Sequence, residues 1–252
     1  MINPMELSGR RILVTGASSR IGRETTILLS LLGASVIVVG RNAEQLGITL
    51  LSLEGNLHHV YAFDLSNVDE IPRWMKDVTY AIGPLHGLVH SAGVQCTRPL
   101  RIMSSESLEE LMRVNVTAAI FLAKGFRQKG VSVAGGSIVY LSSVMGLVGQ
   151  SAQSAYSASK GALVTLTKSL ALELSGENIR VNSVAPAMVR TEMSKKMLQL
   201  LTPEQIIQIE AMHPLGFGQP RDVANAIAFL LADTGKWITG TSLVVDGGYT
   251  SR

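Results

Sequence analysis

Short, almost continuously apolar runs alternate with longer amphipathic segments along the 252-residue chain. Seven of the short runs are rich in β-branched residues, which predicts strands. They read RILVTG, SVIVVG, HHVYAFDL, GLVHSAG, GSIVYLSS, IRVNSVAP and TSLVVDGG. Strands with so few polar positions are typical of a parallel sheet whose two faces are both covered.

The longer segments have the composition of helices, and several of them end at glycine, as helices often do. Examples are IGRETTILLSLLG, VDEIPRWMKDVTYAIG, SLEELMRVNVTAAIFLAKGFRQKG, AYSASKGALVTLTKSLALELSG and PRDVANAIAFLLAD. Repeated strand–helix units of this kind specify a doubly wound parallel α/β sheet, the Rossmann fold, with three α/β/α layers. Since no linker, low-complexity tract or internal repeat interrupts them, we expect a single domain over residues 1–252.

One segment, residues 192–219, departs from this alternation. It falls between the sixth and seventh strands, and a short helix is predicted in it after Pro203. Ligands of open α/β sheets bind beyond the carboxyl ends of the strands, so a long insertion at this place suits a substrate lid. A packed helical connection explains the same residues equally well, and both interpretations stay open.

Composition and charge exclude several classes of protein. The net charge of +3 is small and its basic residues are scattered, which gives no support to nucleic-acid binding. The single cysteine, Cys96, excludes a disulfide framework and indicates a reducing compartment; it is more simply a small, partly buried apolar residue than a catalytic thiol. No cluster has the spacing of metal ligands.

The start MINPMELSGRR lacks a signal-peptide core, and no apolar run reaches the roughly 20 residues of a membrane span. We therefore expect a cytoplasmic protein without membrane, nucleic acid or metal.

The first predicted strand runs into VTGASSRIGRE, a glycine-containing turn that leads into a helix. Gly16 and Gly22 would let backbone amides and the helix N-terminus face a phosphate. Arg20 stands where a third glycine is expected, so an ordinary strand–helix turn is the simpler alternative. The position at the first such junction of a parallel sheet favours a dinucleotide site.

The second predicted strand ends in VVGRN, without the carboxylate that binds the adenosine ribose in NAD-dependent enzymes. Arg41 at this end can instead pair with the 2′-phosphate of NADP(H), and Arg20 could supply a second positive group. Asp64 follows the third strand, where it can accept from an adenine amino group. The small residues Ser91 to Gly93 let the fourth strand approach the adenosine. These features predict NADP(H) rather than NAD(H).

The stretch from Tyr140 to Ala162 contains a serine, a tyrosine and a lysine at suggestive intervals. Tyr156 and Lys160 are four residues apart and would share one face of a helix. Ser143 precedes them across a polar loop. A Tyr-x-x-x-Lys pair arises by chance in many proteins, so the pair alone decides little.

These motifs and the order in which they occur resemble those of the short-chain dehydrogenase/reductase family. The resemblance covers essentially the whole chain and rests on TGASSRIG, FDLS, HSAG, MRVNV, YLSS, YSASK, PAMVRT and VDGG. It implies four catalytic residues: Asn115, Ser143, Tyr156 and Lys160. It implies, with the reasoning above, this set of cofactor-binding residues: Gly16, Ser18, Ser19, Arg20, Ile21, Arg41, Asp64, Leu65, Ala92, Gly93, Tyr156, Lys160, Val189 and Thr191.

The resemblance also implies a role for each catalytic side chain. Tyr156 would act as general acid or base on the reacting oxygen, and Ser143 would orient that oxygen by a hydrogen bond. Lys160 would lower the pKa of the phenol and hold the nicotinamide ribose. Asn115 would kink its helix and anchor a proton-relay water, and Thr191 would contact the nicotinamide carboxamide.

The chain departs from the family pattern at three positions. Arg20 replaces the middle glycine, which is expected to alter the approach to the pyrophosphate. Ser91 replaces a common asparagine, and Ala187 follows Pro186 where glycine is usual. None of these changes touches the four catalytic positions, so activity is expected to survive.

The C-terminal pattern HPLGFGQPRDVANAIAFLLAD is similar to that of 3-oxoacyl-[acyl-carrier-protein] reductases, although many other members share it. We expect an NADP(H)-dependent enzyme that interconverts a small-molecule ketone and a secondary alcohol, first of 3-oxoacyl-thioester type. A sugar, polyol or steroid dehydrogenase is the alternative, and a non-catalytic cofactor-binding protein is a remote one.

Two expectations concern partners. An acyl carrier protein receives little support, because Glu173 and Glu177 end the catalytic helix, although Arg127 and Lys129 could offer positive charge. The helices around TAAIFLA and ALVTLTKSLALEL carry more apolar surface than one sheet face can bury. With paired helices and C-terminal segments as interfaces, as the resemblance implies, we expect a homotetramer.

Overall fold

A computed structural model describes residues 3–191, 194, 198–199 and 202–251, and seven parallel strands of this part form one sheet. The strands are β1 (Arg11–Thr15), β2 (Ser35–Gly40), β3 (His59–Ala62), β4 (Leu85–His90), β5 (Ser132–Leu141), β6 (Arg180–Pro186) and β7 (Ser242–Val245). Their order across the sheet is β3-β2-β1-β4-β5-β6-β7. The seven predicted strands and the doubly wound topology are confirmed, with the order reversing direction between β1 and β4.

Helices cover both faces of the sheet. They are α1 (Arg20–Leu31), α2 (Ala43–Leu50), α3 (Ile71–Ile82), α4 (Ser105–Met112), α5 (Ala118–Phe126), α6 (Ser154–Glu173), α7 (Pro203–Ala211) and α8 (Pro220–Leu231). Within the described ranges, none of them is long and apolar enough to span a bilayer.

Two apolar cores lie on opposite faces of the sheet, because successive side chains of a strand point to opposite sides. In β1, Leu13 joins the core formed with α3, α5 and α6, whereas Ile12 and Val14 join the core formed with α1 and α8. All three side chains are almost completely buried. Burial on both faces explains why the strands read as continuous apolar runs, and it confirms the three-layer α/β/α arrangement.

The helix predicted over residues 107–130 is interrupted. A π-helical segment, Arg113–Thr117, separates α4 from α5, and Asn115 lies in its middle. Such a segment inserts an extra residue into the turn and is frequent at functional sites. Helical periodicity does not reveal it, whereas the family resemblance implied a kink at this asparagine.

The segment predicted as a lid, residues 192–219, lies partly outside the described residues. Its described portion contains α7, the short helix expected after Pro203, whose N-terminus is closed by a capping box between Thr202 and Gln205. The assignment of this segment as a lid stays a prediction.

Candidate active site

A large cavity of about 1040 Å³ opens at the carboxyl ends of the strands. This is the edge at which doubly wound proteins bind ligands. All fourteen predicted cofactor-binding residues and Ser143 line it, and Asn115 is the one predicted site residue that does not. Asn115 is fully buried behind the wall.

The glycine turn between β1 and α1 forms one wall by close backbone packing. Gly16 has a left-handed φ of +66°, and a Cβ there would lie 2.6 Å from the backbone nitrogen of Ala92. A Cβ at Gly22 would collide with the carbonyl oxygen of Gly16. Ser19, the N-cap of α1, gives the first turn no side-chain hydrogen bond. The cradle is thus made of backbone, and it fits the phosphates of a dinucleotide.

At the β2 and β3 end of the cavity, Arg41 and Asp64 follow their strands. One carboxylate oxygen of Asp64 accepts a hydrogen bond of 2.9 Å from the backbone N–H of Ser66, which fixes the side chain. Gly40 and Arg41 bring no carboxylate to the end of β2. The end of β2 therefore lacks the carboxylate that would bind an adenosine ribose and repel a 2′-phosphate.

Asn115 joins the loop after β4 to α6. Its Oδ1 accepts from the N–H of Val94 at 2.8 Å, and its Nδ2 donates to the carbonyl of Val94 at 3.0 Å and to Ser159 Oγ at 3.1 Å. A Cβ at Gly93 would lie 3.2 Å from Asn115 Oδ1 and 3.6 Å from Lys160 Nζ. The amide therefore positions the cavity wall, and the relay water implied by the resemblance stays a prediction.

Lys160 lies in the second turn of α6 and is 5% exposed. Its Nζ donates a 2.7 Å hydrogen bond to the carbonyl of Leu141 at the end of β5 and lies 5.7 Å from the ring centre of Tyr156. Burial lowers the pKa of Lys160 to about 8, because an ammonium loses solvation inside the protein.

The phenol of Tyr156 has a pKa above its usual range, and burial is the main cause. A hydrogen bond with Ser143 and the positive charge of Arg20 both act to lower this pKa. Burial therefore outweighs these two effects, and the expected lowering of this pKa by Lys160 stays a prediction. The Lys160 ammonium donates to the Leu141 carbonyl and lies over the phenol ring.

Ser143 follows β5 and begins a 3₁₀ turn. Its Oγ accepts from the N–H of Met145 at 3.2 Å, and its one hydroxyl proton can be donated either to Tyr156 or to the carbonyl of Pro186, 3.5 Å away. The contact with Pro186 is long and weak, so the proton can turn to another oxygen at little cost. The preceding Ser142 donates to the carbonyl of Lys160 at 2.8 Å and thereby ties β5 to α6.

Val189 and Thr191 lie beyond β6 on the same cavity. Val189 pairs with Gly218 in an isolated bridge, and Thr191 Oγ1 accepts from the N–H of Ser194 at 3.2 Å. Ala187, one of the three departures from the family pattern, also lines the cavity.

Sequence reasoning missed the residues of the cavity opposite the glycine turn. They include Thr97, Met145, Gln150, Gln153, Met188, Ile209, Met212, His213 and Tyr249. Gln153 lies three residues before Tyr156 and donates to Thr97 Oγ1 at 3.0 Å. Its nearness to YSASK was the available signal; the others come together only through the tertiary fold.

Sequence reasoning also missed His213, although it begins the HPLG stretch of the C-terminal pattern. It is 5% exposed, and its Nδ1 lies 2.8 Å from the carbonyl of Ile209, so this nitrogen carries the proton. Its Nε2 then accepts a 3.4 Å bond from the N–H of Met188. The ring joins the end of α7 to the strand-end segment beside the cavity. Over the described part of the chain, no group of three or more metal-ligating side chains occurs.

Comparison with known proteins agrees with this geometry. The family model described as Enoyl-(Acyl carrier protein) reductase matches residues 16–250. The chain is similar to the 3-oxoacyl-[acyl-carrier-protein] reductase FabG of Thermotoga maritima, with 34% identity covering 97% of this chain and 99% of the relative. It is equally similar to a glucose 1-dehydrogenase of Gluconobacter oxydans, with 34% identity covering 96% and 92%.

A solved short-chain type dehydrogenase/reductase from Mycobacterium ulcerans superimposes with a TM-score of 0.91 and 33% identity over 98% of this chain and 92% of that one. Fold, motif order and full-length similarity agree. The chain belongs to the short-chain dehydrogenase/reductase family of oxidoreductases.

Proposed function

We propose that this protein is an NADP(H)-dependent oxidoreductase that interconverts a ketone and a secondary alcohol, with a 3-oxoacyl thioester as the preferred class of substrate. The observation that carries the proposal is the convergence of Ser143, Tyr156 and Lys160 on one cavity with a backbone-lined glycine cradle. Retention of the tyrosine and the lysine argues against a non-catalytic binding protein on the same scaffold.

The chain's own residues suit proton transfer to a carbonyl oxygen. A bound nicotinamide supplies or accepts the hydride. The Ser143 hydroxyl orients the substrate oxygen, and the Tyr156 hydroxyl donates its proton to that oxygen during reduction. Burial raises the pKa of Tyr156, which stabilises the protonated phenol that reduction requires. The Lys160 ammonium donates to the carbonyl of Leu141 and would also bind the ribose.

The choice of NADP(H) rests on Arg41 at the end of β2. A guanidinium pairs with a 2′-phosphate through two parallel hydrogen bonds, whereas the carboxylate typical of NAD-dependent enzymes would repel it. Positions 40 and 41 are glycine and arginine, so no acidic side chain stands at the end of this strand.

The choice of substrate rests on the lining opposite the glycine turn. Among the described residues, that wall has apolar, flexible side chains in Met145, Met188 and Met212, and no acidic or lysine side chain. Such a wall favours a neutral, elongated acyl group. Gln150 and Gln153 on the same wall favour the alternative, a sugar, polyol or steroid, and one relative is named a glucose 1-dehydrogenase.

Free thioesters are favoured over thioesters carried by an acyl carrier protein. Arg127 and Lys129 precede β5 and so lie at the amino edge of the sheet, whereas the cavity lies at the carboxyl edge. Arg127 also forms an ion pair of 2.6 Å with Glu177, which reduces the positive charge it offers. We propose free thioesters as the first substrates to test, in a cytoplasmic enzyme.

The proposed function is tested by measuring NADPH oxidation with a panel of simple ketones, 3-oxoacyl thioesters, sugars and steroids. We expect the highest kcat/KM with a 3-oxoacyl thioester. A sugar or steroid preferred over every thioester contradicts the proposed substrate class. If no carbonyl compound is reduced, the proposed enzymatic function is wrong.

A further inference from the structure

Arg20 has a backbone conformation that glycine normally adopts. Its φ is +55°, in the left-handed region, although it is the first residue of α1. An L side chain there meets steric resistance that glycine avoids. Residues held in such conformations cluster at active sites and ligand-binding segments. The unusual residue therefore calls for a role that glycine could not perform.

The side chain of Arg20 lines the same cavity as Tyr156 and Lys160. In the described part of the chain, no carboxylate lies within ion-pair distance of its guanidinium. Partial burial lowers the pKa of Arg20, and its charge and the ionised phenol of Tyr156 affect each other's pKa. The cation therefore lies at the cavity, where its charge and that of the ionised phenol interact.

The sheet order locates this cation along a bound dinucleotide. Arg41 marks the adenosine end at β2, and Ser143 marks the reaction end at β5, with β1 and β4 between them. Neighbouring strands are about 4.8 Å apart, so these two ends are separated by roughly 14 Å. Arg20 follows β1, between these two ends, and lines the cavity. It therefore faces the middle of the span, where the diphosphate of a dinucleotide crosses.

We propose that Arg20 binds the diphosphate of the dinucleotide on its nicotinamide side, so that it strengthens NADH and NADPH binding equally, while Arg41 distinguishes the two. This inference rests on the proposed function for the identity of the ligand. It replaces the hypothesis from the sequence that Arg20 assists Arg41 at the 2′-phosphate. It also gives a reason for the strained backbone, because glycine at this position would leave the diphosphate without a guanidinium.

The test compares dissociation constants of Arg20→Gln and Arg41→Ala with those of the wild-type protein, measured by fluorescence titration. The probes are NADH, NADPH and adenosine 2′,5′-bisphosphate, a fragment with the 2′-phosphate but without the nicotinamide-side phosphate. We expect Arg20→Gln to raise the dissociation constants of NADH and NADPH by the same factor, about tenfold or more, because a charged hydrogen bond is lost. The fragment should keep its affinity within about threefold. Arg41→Ala should weaken NADPH and the fragment but not NADH.

A second variant, Arg20→Gly, removes the charge and relieves the left-handed conformation. We expect it to bind both dinucleotides as weakly as Arg20→Gln does and to melt, without ligand, at the wild-type temperature or above. If Arg20→Gln weakens the binding of NADPH and of the fragment but leaves NADH binding unchanged, Arg20 belongs to the 2′-phosphate and the proposal is overturned. Unchanged affinities, or an equal loss for the fragment, would also overturn it. If the wild-type protein binds neither dinucleotide, the proposed function itself has failed.

Discussion

At the scale of single residues, the chemistry of the site depends on what surrounds its ionisable side chains. The pKa of Tyr156 is above its usual range and that of Lys160 is lowered to about 8, in both cases chiefly because the groups are buried. Spacing on a helix predicted that these two residues share a face. It could not predict the pKa directions, since these depend on burial by the tertiary fold, which no local pattern contains.

The first residue-scale prediction concerns cofactor preference. We expect wild-type protein to bind NADPH at least about tenfold more tightly than NADH, roughly 1.4 kcal/mol. Arg41→Asp should erase or reverse this preference, because a carboxylate repels the 2′-phosphate. Arg73→Asp, at an exposed position of α3, is the matched charge control and should keep the wild-type ratio. Equal titrated dissociation constants for the two cofactors in the wild-type protein would contradict the assignment of Arg41.

The second residue-scale prediction concerns stability and pH. The pKa of Lys160 is lowered from 10.5 to about 8, so between these values the unfolded chain binds more protons than the folded chain. The buried ammonium therefore costs stability in full below about pH 8, and this cost disappears as pH rises towards 10.5. Relative to Lys160→Met, the wild-type protein should gain melting temperature between pH 7 and pH 10.

The control for this pH series is Lys168→Met, which changes an exposed lysine on the same helix. Its melting temperature should follow that of the wild-type protein across the series. A difference between the wild-type protein and Lys160→Met that is constant from pH 7 to pH 10 would show that burial does not lower this pKa.

At the scale of elements, the strands were predictable because burial on both faces leaves an uninterrupted apolar signature. The short helix α2 has a weaker signature, because Leu46 and Thr49 are its only fully buried residues among the eight. The π-helical turn at Asn115 leaves no signature in the sequence, because its extra residue is stabilised by contacts with Val94 and Ser159 from distant segments. The role of His213 is likewise created by its contacts with Ile209 and Met188.

The element-scale prediction concerns the glycine turn. Gly22→Ala should lower both the melting temperature and the affinity for dinucleotides, because the added Cβ collides with the carbonyl oxygen of Gly16 and forces the turn apart. Gly47→Ala is the matched control: its Cβ meets no atom within 4 Å, and alanine favours the helix. Calorimetry and fluorescence titration measure the two effects. Wild-type binding by Gly22→Ala would contradict the close packing of the turn.

At the scale of the whole molecule, large apolar side chains remain exposed on several surfaces. Leu172 on α6 is 80% exposed, Ile120 on α5 is 42% exposed, and Trp237, shortly before β7, is 97% exposed. Their separate positions agree with the proposal of two distinct interfaces, one through paired helices and one through C-terminal segments. Composition could suggest this excess of apolar surface, but only the fold tells which side chains stay uncovered.

The molecule-scale prediction is therefore a homotetramer. Multi-angle light scattering at micromolar concentration should give four times the chain mass of 26.9 kDa. Leu172→Glu and Trp237→Glu place a charge on different surfaces, and each should reduce the assembly to dimers if both interfaces exist. A monomeric wild-type protein would contradict the proposal.

The most direct test of the proposed chemistry is the single-turnover rate of hydride transfer in Tyr156→Phe, measured with NADPH and the best carbonyl substrate. Steady-state turnover alone is insufficient, since slow product release could conceal part of the loss. Tyr80→Phe, at a 96% exposed position, is the matched control and should keep the wild-type rate. The wild-type reduction rate should also fall as pH rises through the pKa of Tyr156, because the phenol must be protonated to donate. We expect Tyr156→Phe to bind NADPH nearly normally and to transfer hydride at least about a hundredfold more slowly. A rate above about a tenth of the wild-type value would contradict the role of Tyr156 as the proton donor.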